Sequence, residues 1–183
     1  TISGTTTVCQ NAAQPNITFT GANAAPPYTF NYTINDGTNT TNNSVTTNGA
    51  ATSVTVPAPT TVSGSFTYAI TSVAVGSCSN NVAGQTAIVT VNPIPVLDIQ
   101  DQSICGGSST TIIGNATPIN GVYTWSGGTI PANFQNNQIT LNPTTTTSYQ
   151  VSYTLNNCSS NDNFTITVIQ NPTASVLNDT ICL

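Results

Sequence analysis

Residues 86–95 read TAIVTVNPIP, and this stretch carries the two signals that decide the fold. Over residues 86–91, apolar side chains recur at every second position among β-branched residues, which is typical of a strand with one buried face. Asn92-Pro93-Ile94-Pro95 then ends the strand, because proline lacks a backbone donor and stiffens the chain. The stretch therefore predicts the last strand of one domain and a short, semi-rigid connector to another.

Strands of the same style recur along the rest of the chain. Clusters of Gly, Pro and Asn separate them, and no segment shows an apolar stripe of helical period. Many short strands with frequent turns predict an all-β protein made of β-sandwiches. The predicted strands are 16–20, 28–34, 53–56, 65–75, 86–91, 110–113, 122–125, 138–141, 148–155 and 164–169.

A short sequence motif that ends in cysteine recurs after each proline-containing segment that separates two groups of strands. Asp101-Gln102-Ser103-Ile104-Cys105 follows the first break, Asn178-Asp179-Thr180-Ile181-Cys182 follows Asn171-Pro172, and Thr7-Val8-Cys9 is a looser copy. This recurrence predicts a tandem array of unequal sandwich domains. The predicted units are 1–93, 94–171 and, as the start of a third repeat, 172–183. The chain opens in the middle of this pattern, so we expect it to be a piece of a longer mature protein.

The repeat pattern assigns the cysteines. None forms a Cys-x-x-Cys pair and the chain has no His, so paired disulfides in an oxidising compartment fit better than a metal site. Aligning the repeats predicts one bond within each domain, Cys9–Cys78 and Cys105–Cys158, and leaves Cys182 unpaired in this fragment. The alternative is a Cys78–Cys105 bond across the connector.

The charge balance excludes whole classes of function. The chain has no Lys, Arg, His or Glu, and its five Asp residues give a net charge of −5. Catalysis needs a positioned base or cation, so we predict no enzyme activity, no catalytic residue and no cofactor. Nucleic-acid binding needs Lys or Arg to replace counterions. No apolar run is long enough for a membrane helix, so we also predict no membrane insertion.

Three local features have competing interpretations. Trp125 lies in a predicted strand, which favours a core position beside a disulfide over a sugar-stacking role. Asp98 and Asp101 lie beside the connector, where calcium often binds, but calcium needs more carboxylates than these two. Asn35-Asp36-Gly37 and Asn161-Asp162-Asn163 are both predicted to be turns.

Several short sequence motifs in the repeats resemble motifs of a known family. The phrases concerned are 1–4 (TISG), 8–11 (VCQN), 17–21 (ITFTG), 27–30 (PYTF), 87–93 (AIVTVNP), 123–125 (YTW) and 149–152 (YQVS). They resemble repeats of the giant cell-surface adhesins of gliding Bacteroidota and the PKD- or immunoglobulin-like modules beside them. The resemblance implies export by the type IX secretion system and display as a long extracellular filament. Asp179-Thr180-Ile181 also resembles the Asp-Ser/Thr-apolar acceptor of O-glycans in Bacteroidota, which implies a glycan on Thr180.

The leading functional prediction is a stalk or adhesive repeat on the cell surface. It would support attachment and gliding through contacts with surfaces or glycans and with neighbouring repeats of the same chain. One alternative is a carbohydrate-binding module of a secreted multidomain protein, which would display a row of exposed aromatic side chains. Another is a self-associating filament subunit that pairs through exposed sheet edges, since those edges lack the Lys that usually blunts them. The sequence does not name the adhesive target or the number of repeats.

Overall fold

The computed structural model describes residues 1–132 and 134–174 and confirms the all-β prediction. These residues form fifteen β-strands and no helix. The described part of the chain therefore holds no helix with the length and hydrophobicity needed to span a bilayer. The chain divides into two compact units, Thr1–Ile94 and Pro95–Leu183, so the division falls one residue after the expected boundary. The third repeat at 172–183 lies mostly outside the described residues and stays a prediction.

Unit 1 is a sandwich of two sheets. One sheet has the strand order β1-β3-β6 and the other has the order β2-β9-β7-β4-β5, with β8 paired to β7. Between them lies a core of aromatic and β-branched side chains, in which Ile17, Phe19 and Val89 are fully buried. The strands are β1 (Ile2–Ser3), β2 (Thr6–Cys9), β3 (Asn16–Thr20), β4 (Thr29–Asn35), β5 (Thr40–Thr46), β6 (Ser53–Pro57), β7 (Gly64–Val75), β8 (Cys78–Asn81) and β9 (Thr86–Asn92).

Unit 2 repeats the plan with fewer strands. Its larger sheet has the order β10-β15-β14-β12, and the smaller sheet pairs β11 with β13. Val151 and Ile166 are fully buried in its core, and Trp125 packs beside them. The strands are β10 (Gln102–Cys105), β11 (Thr110–Ile113), β12 (Val122–Ser126), β13 (Gln138–Leu141), β14 (Thr147–Leu155) and β15 (Cys158–Ile169).

In each unit the first strand of the larger sheet pairs in parallel with the last strand. Strand β2 pairs with β9, and β10 pairs with β15, each over four residues. Every other pairing between strands is antiparallel in the described residues. The parallel pairing makes the first and last strands of a unit run side by side in the same direction.

All ten predicted strands are present, and the structure adds five that were not predicted: β1, β2, β5, β8 and β10. Strand β5 was missed because Thr40–Thr46 is polar and none of its residues is buried. Its strand conformation comes from backbone pairing with β4 along the sheet edge. The predicted turn at 161–163 is wrong: these residues lie inside β15, where Asp162 pairs with Val151 of β14.

Matched core truncations should destabilise one unit at a time. Ile166 and Ile17 are both fully buried, the first in unit 2 and the second in unit 1. Replacing either by Ala removes buried methyl groups and leaves a cavity, so we expect each change to lower the free energy of unfolding of its own unit by about 2–5 kcal/mol.

The only tryptophan reports which unit is affected, because Trp125 lies in the core of unit 2. Urea unfolding followed by Trp fluorescence should shift to lower urea for Ile166→Ala and should not shift for Ile17→Ala. Far-UV circular dichroism should register both changes. Equal fluorescence shifts for the two variants would contradict separate cores.

Candidate functional site

Each unit ends in an exit pole, where its parallel first and last strands finish together. In unit 1, Cys9 is the last residue of β2 and pairs with Asn92 of β9. In unit 2, Cys105 is the last residue of β10 and pairs with Ile169 of β15. The residue after each cysteine continues the pairing: Gln10 N–H donates to the carbonyl of Asn92 at 2.8 Å, and Gly106 N–H donates to that of Ile169 at 2.9 Å. Cys9 and Cys105 therefore occupy equivalent positions.

The same tight turn follows both exit-pole cysteines. Ala12 N–H donates to the carbonyl of Cys9 at 3.1 Å, and Ser108 N–H donates to that of Cys105 at 3.0 Å. Each turn includes a left-handed residue, Asn11 at φ 61° and Gly107 at φ 82°. Asn and Gly are the residues that adopt this conformation most readily, so the local sequence suits the turn.

The opposite end of each unit is its hairpin pole, where a two-residue turn leads into the next strand. The turn Gly76–Ser77 joins β7 to β8, and Asn156–Asn157 joins β14 to β15. Both asparagines are left-handed, with φ 50° and 63°, as expected of a type I′ hairpin turn. Cys78 follows the first turn and pairs with Val75, while Cys158 follows the second and pairs with Leu155.

The two cysteines of a unit therefore lie at opposite poles, which makes the predicted Cys9–Cys78 and Cys105–Cys158 pairings wrong. Cys158 begins and Ile169 ends the 12-residue strand β15, and Cys105 lies beside Ile169. At about 3.3 Å per residue, eleven steps separate the two ends by about 36 Å. A disulfide needs Cα atoms within about 7 Å.

Unit 1 has the same separation, measured along β7. Cys9 is level with Asn92, and the preceding residue, Val91, pairs with Gly64 at one end of β7. Cys78 pairs with Val75 at the other end of this 12-residue strand. The prediction failed because it assumed that the opening strand reaches the turn before the last strand. The parallel register places it against the far end of the last strand instead.

The bonding state of the four cysteines differs between equivalent positions. Cys9 and Cys158 are disulfide-bonded, whereas Cys78 and Cys105 are exposed free thiols. The alternative Cys78–Cys105 bond is therefore also absent. Cys182, predicted to be unpaired, and Thr180, predicted to carry a glycan, lie outside the described residues.

All the aromatic side chains are buried or half-buried. Trp125 is 1% exposed, its indole N–H donates to the carbonyl of Asn136 at 2.8 Å, and its ring meets Phe164 edge-on at 6.0 Å. The core prediction for Trp125 is confirmed. Of the twelve aromatic residues, ten are buried and the other two, Phe66 and Phe134, are half-buried. The exposed aromatic row that a carbohydrate-binding module would show is absent from the chain.

A polar groove lies beside a loop of unit 2 that is held by tyrosine hydroxyls. The Tyr123 hydroxyl accepts from Ala116 N–H at 2.9 Å, and the Tyr153 hydroxyl accepts from Gly121 N–H at 2.6 Å and donates to the carbonyl of Pro118 at 2.8 Å. The groove encloses about 500 Å³. Asn115, Asn120, Gln135 and Asn137 are among the residues that line it. These amides offer neutral hydrogen bonds only.

Solved structures resemble the chain in fold. A marsupial T cell receptor matches 96% of this chain and 74% of its own at 13% identity, with a TM-score of 0.57. The two-domain DIP-gamma IG1+IG2 matches 91% of this chain and 94% of its own at 10% identity, with a TM-score of 0.49. The four-domain Dscam1 isoform 6.9 matches 91% of this chain but only 43% of its own, at 12% identity and a TM-score of 0.41. No protein-family model and no curated protein sequence matches the chain.

The T cell receptor match covers 96% of the chain and therefore extends over both units. Both units are immunoglobulin-like β-sandwiches. At this level of identity the likeness establishes the fold alone. It carries over no ligand and no partner.

Two aspartates of the second immunoglobulin-like unit, Asp101 and Asp162, fasten its opening segment to its last strand. The Asp162 carboxylate accepts from Ile99 N–H at 2.5 Å, and the Asp101 carboxylate accepts from Thr165 N–H at 2.7 Å. Asp98 accepts from the side-chain amide of Gln100. Because these carboxylates already accept N–H donors, they are poorly placed as calcium ligands, and no group of three metal-ligating side chains occurs in residues 1–132 and 134–174.

Asp36 closes the hairpin between β4 and β5, as predicted. Its carboxylate accepts from the backbone N–H groups of Asn39 at 2.7 Å and Thr38 at 2.9 Å, and from the Thr38 hydroxyl at 2.8 Å. Donors of this kind favour the ionised form. They lower the pKa of Asp36 from 3.8 to about 2.

Alkylation should separate the cysteines into two classes. Treating the native, unreduced protein with iodoacetamide should modify Cys78 and Cys105, because both thiols are free and exposed. Cys9 and Cys158 should react only after reduction and unfolding. Mass spectrometry of chymotryptic peptides measures this pattern. Modification of Cys9 or Cys158 before reduction would contradict it.

The stability of the first immunoglobulin-like unit should depend on pH through Asp36. Folding lowers the pKa of Asp36, so its ionised form stabilises the unit fully above pH 3.8, and this stabilisation is lost as the pH falls through about 2. Carboxyl NMR should show the Asp36 titration midpoint near 2. The Asp36→Asn variant should lose this part of the pH dependence, and an unchanged acid profile in that variant would count against the assignment.

Proposed function

We propose that this chain is a structural stalk segment of a long extracellular surface filament, built from tandem immunoglobulin-like units. The observation that carries the proposal is the parallel pairing of the first and last strands of each larger sheet. Since those strands run the same way, each unit receives the chain toward one pole and releases it at the other. Each added unit therefore adds length, which is the property that a stalk needs.

The chemistry of the surface supports a structural role. The chain has no cationic side chain, and the aromatic residues that would stack on a sugar or a base lie in the cores. Three of its five carboxylates accept backbone N–H groups inside the unit to which they belong. The exposed groups that remain are mostly hydroxyls and amides. A stalk segment with this surface acts by shape and neutral hydrogen bonding, without catalysis.

The filament would belong to the class that the repeats resemble, the giant adhesins of gliding Bacteroidota. On that basis we propose display at the cell surface after type IX secretion, with the units at 1–93 and 94–171 followed by a third repeat from 172. Partners would be the neighbouring repeats and an adhesive surface or glycan. A disulfide in the chain agrees with an oxidising, extracellular location.

A second candidate, sugar binding, is favoured by one observation. The groove of unit 2 carries several amide side chains, and such groups pair readily with sugar hydroxyls. It offers no exposed ring for stacking, so the stalk remains the better-supported function. Pairing through sheet edges stays a prediction, and the polar edge strand β5 is the segment on which it would occur.

Replacing one unit in the cell-surface protein that carries this chain tests the stalk. In-frame removal of residues 94–171 should shorten the filament by the length of one unit, as measured by electron microscopy. The matched control replaces the same residues by an unrelated immunoglobulin-like sandwich of similar length, which should restore both filament length and cell attachment. If the replacement restores length but attachment is lost, the unit binds a specific ligand and the stalk proposal fails.

A further inference from the structure

Two cysteines are exposed free thiols, although the cysteine at the equivalent position of the other unit is disulfide-bonded. Cys78 follows the hairpin turn of unit 1 as Cys158 follows that of unit 2, and Cys158 is bonded. Cys105 ends the first strand of the larger sheet in unit 2 as Cys9 does in unit 1, and Cys9 is bonded. Each position thus exists once in a bonded form and once as a free thiol.

The free thiols lie at complementary poles. Cys78 is at the hairpin pole of unit 1, the end at which a preceding unit would join. Cys105 is at the exit pole of unit 2, the end from which the chain continues past Ile169. Neither can reach the other cysteine of its own unit, because about 36 Å of strand separates the two poles. Any disulfide partner of Cys78 or Cys105 therefore comes from outside its own unit.

We propose that the stalk is cross-linked at its joints with the preceding unit and with the following unit, each time through one exit-pole cysteine and one hairpin-pole cysteine. In this arrangement Cys105 bonds the hairpin-pole cysteine of the following unit, and Cys78 bonds the exit-pole cysteine of the preceding unit. This inference rests on the tandem stalk proposed above. It adds a covalent bond to each of these two joints beside the peptide connector.

The bond forms by a balanced two-electron oxidation. The two thiols lose two protons and two electrons, and a disulfide oxidant accepts them. With oxidised glutathione as the oxidant, a cysteine thiolate attacks the glutathione disulfide and releases one reduced glutathione. The second cysteine thiolate then attacks the mixed disulfide and releases another. The products are one protein disulfide and two molecules of reduced glutathione.

Cross-links at the poles change which part of a unit bears a pulling force. In unit 2, tension that enters at Pro95 would leave at Cys105 through the opening segment and strand β10, which pairs with β15. This strand is already extended, and a chain cannot exceed about 3.6 Å per residue. Residues 106–157 would lie off the load path. Such a filament would hold its length under tension even if its cores opened.

Variants of the whole chain that keep only one of the two free thiols, together with the bonded Cys9 and Cys158, test the pairing rule. All samples carry Cys182→Ser, so that this thiol does not interfere. One variant adds Cys78→Ser and keeps Cys105, while the other adds Cys105→Ser and keeps Cys78. Both positions are exposed, so the fold should survive, and far-UV circular dichroism, which registers both units, checks it. Each variant alone and their equimolar mixture are incubated in a glutathione redox buffer at high protein concentration.

We expect a covalent dimer in the mixture only, lost on adding dithiothreitol. In that dimer the second copy stands in for the neighbouring unit. Non-reducing electrophoresis measures the dimer, and mass spectrometry of chymotryptic peptides should identify a bridge from Cys105 of one copy to Cys78 of the other. Chymotrypsin is needed because the chain has no Lys or Arg for trypsin to cleave.

Two results would overturn the inference. If either variant alone forms as much dimer as the mixture, the thiols react without regard to pole. If all three samples contain only glutathione adducts, the poles do not bring these cysteines together. In both cases the unit-replacement experiment on filament length and attachment is unaffected, so failure of the cross-link can be told from failure of the stalk.

Discussion

The parallel pairing of β2 with β9 and of β10 with β15 is the constraint on which each unit depends. Parallel neighbours cannot be joined by a tight turn, so the rest of the unit must lie between them in sequence. That intervening chain forms antiparallel pairs and closes the sandwich over its aromatic core. The same pairing places the start and the end of the unit at opposite poles, and with them the two cysteines.

The polar chemistry of the molecule is used mainly to hold its own backbone. Asp36 closes a hairpin, and Asp101 and Asp162 fasten the opening segment of unit 2 to β15. Buried tyrosines use their hydroxyl groups to hold loops, as Tyr153 does through Gly121 and Pro118. Apart from the aspartates, the side chains left on the surface are uncharged, and the chain has no cation to offer an anionic partner. A function based on length and stiffness agrees with this distribution better than one based on a binding cleft.

Covalent bonds at the poles and covalent bonds within a core have different mechanical effects. A disulfide within a sandwich limits how far that sandwich can unravel after it opens. A disulfide at a joint would route the load through a strand that is already extended, so opening of the core would add no length. The positions of Cys78 and Cys105, exposed at poles of opposite kind, suit this second arrangement, in which the joint would be the strongest part of the proposed filament.

The sequence by itself determined the all-β class, the ten strands with clear alternation and the connector near Pro93, because these signals are local to a few residues. It also placed Trp125 in the core and Asp36 in a turn. It missed the polar strand β5, whose conformation comes from pairing with β4, and the first half of β15. Only the tertiary structure decided where the cysteines lie, because the direction and register of strand pairing are set between residues far apart in the chain. A parallel register moved Cys9 and Cys105 to the pole opposite the one that the repeat pattern implied.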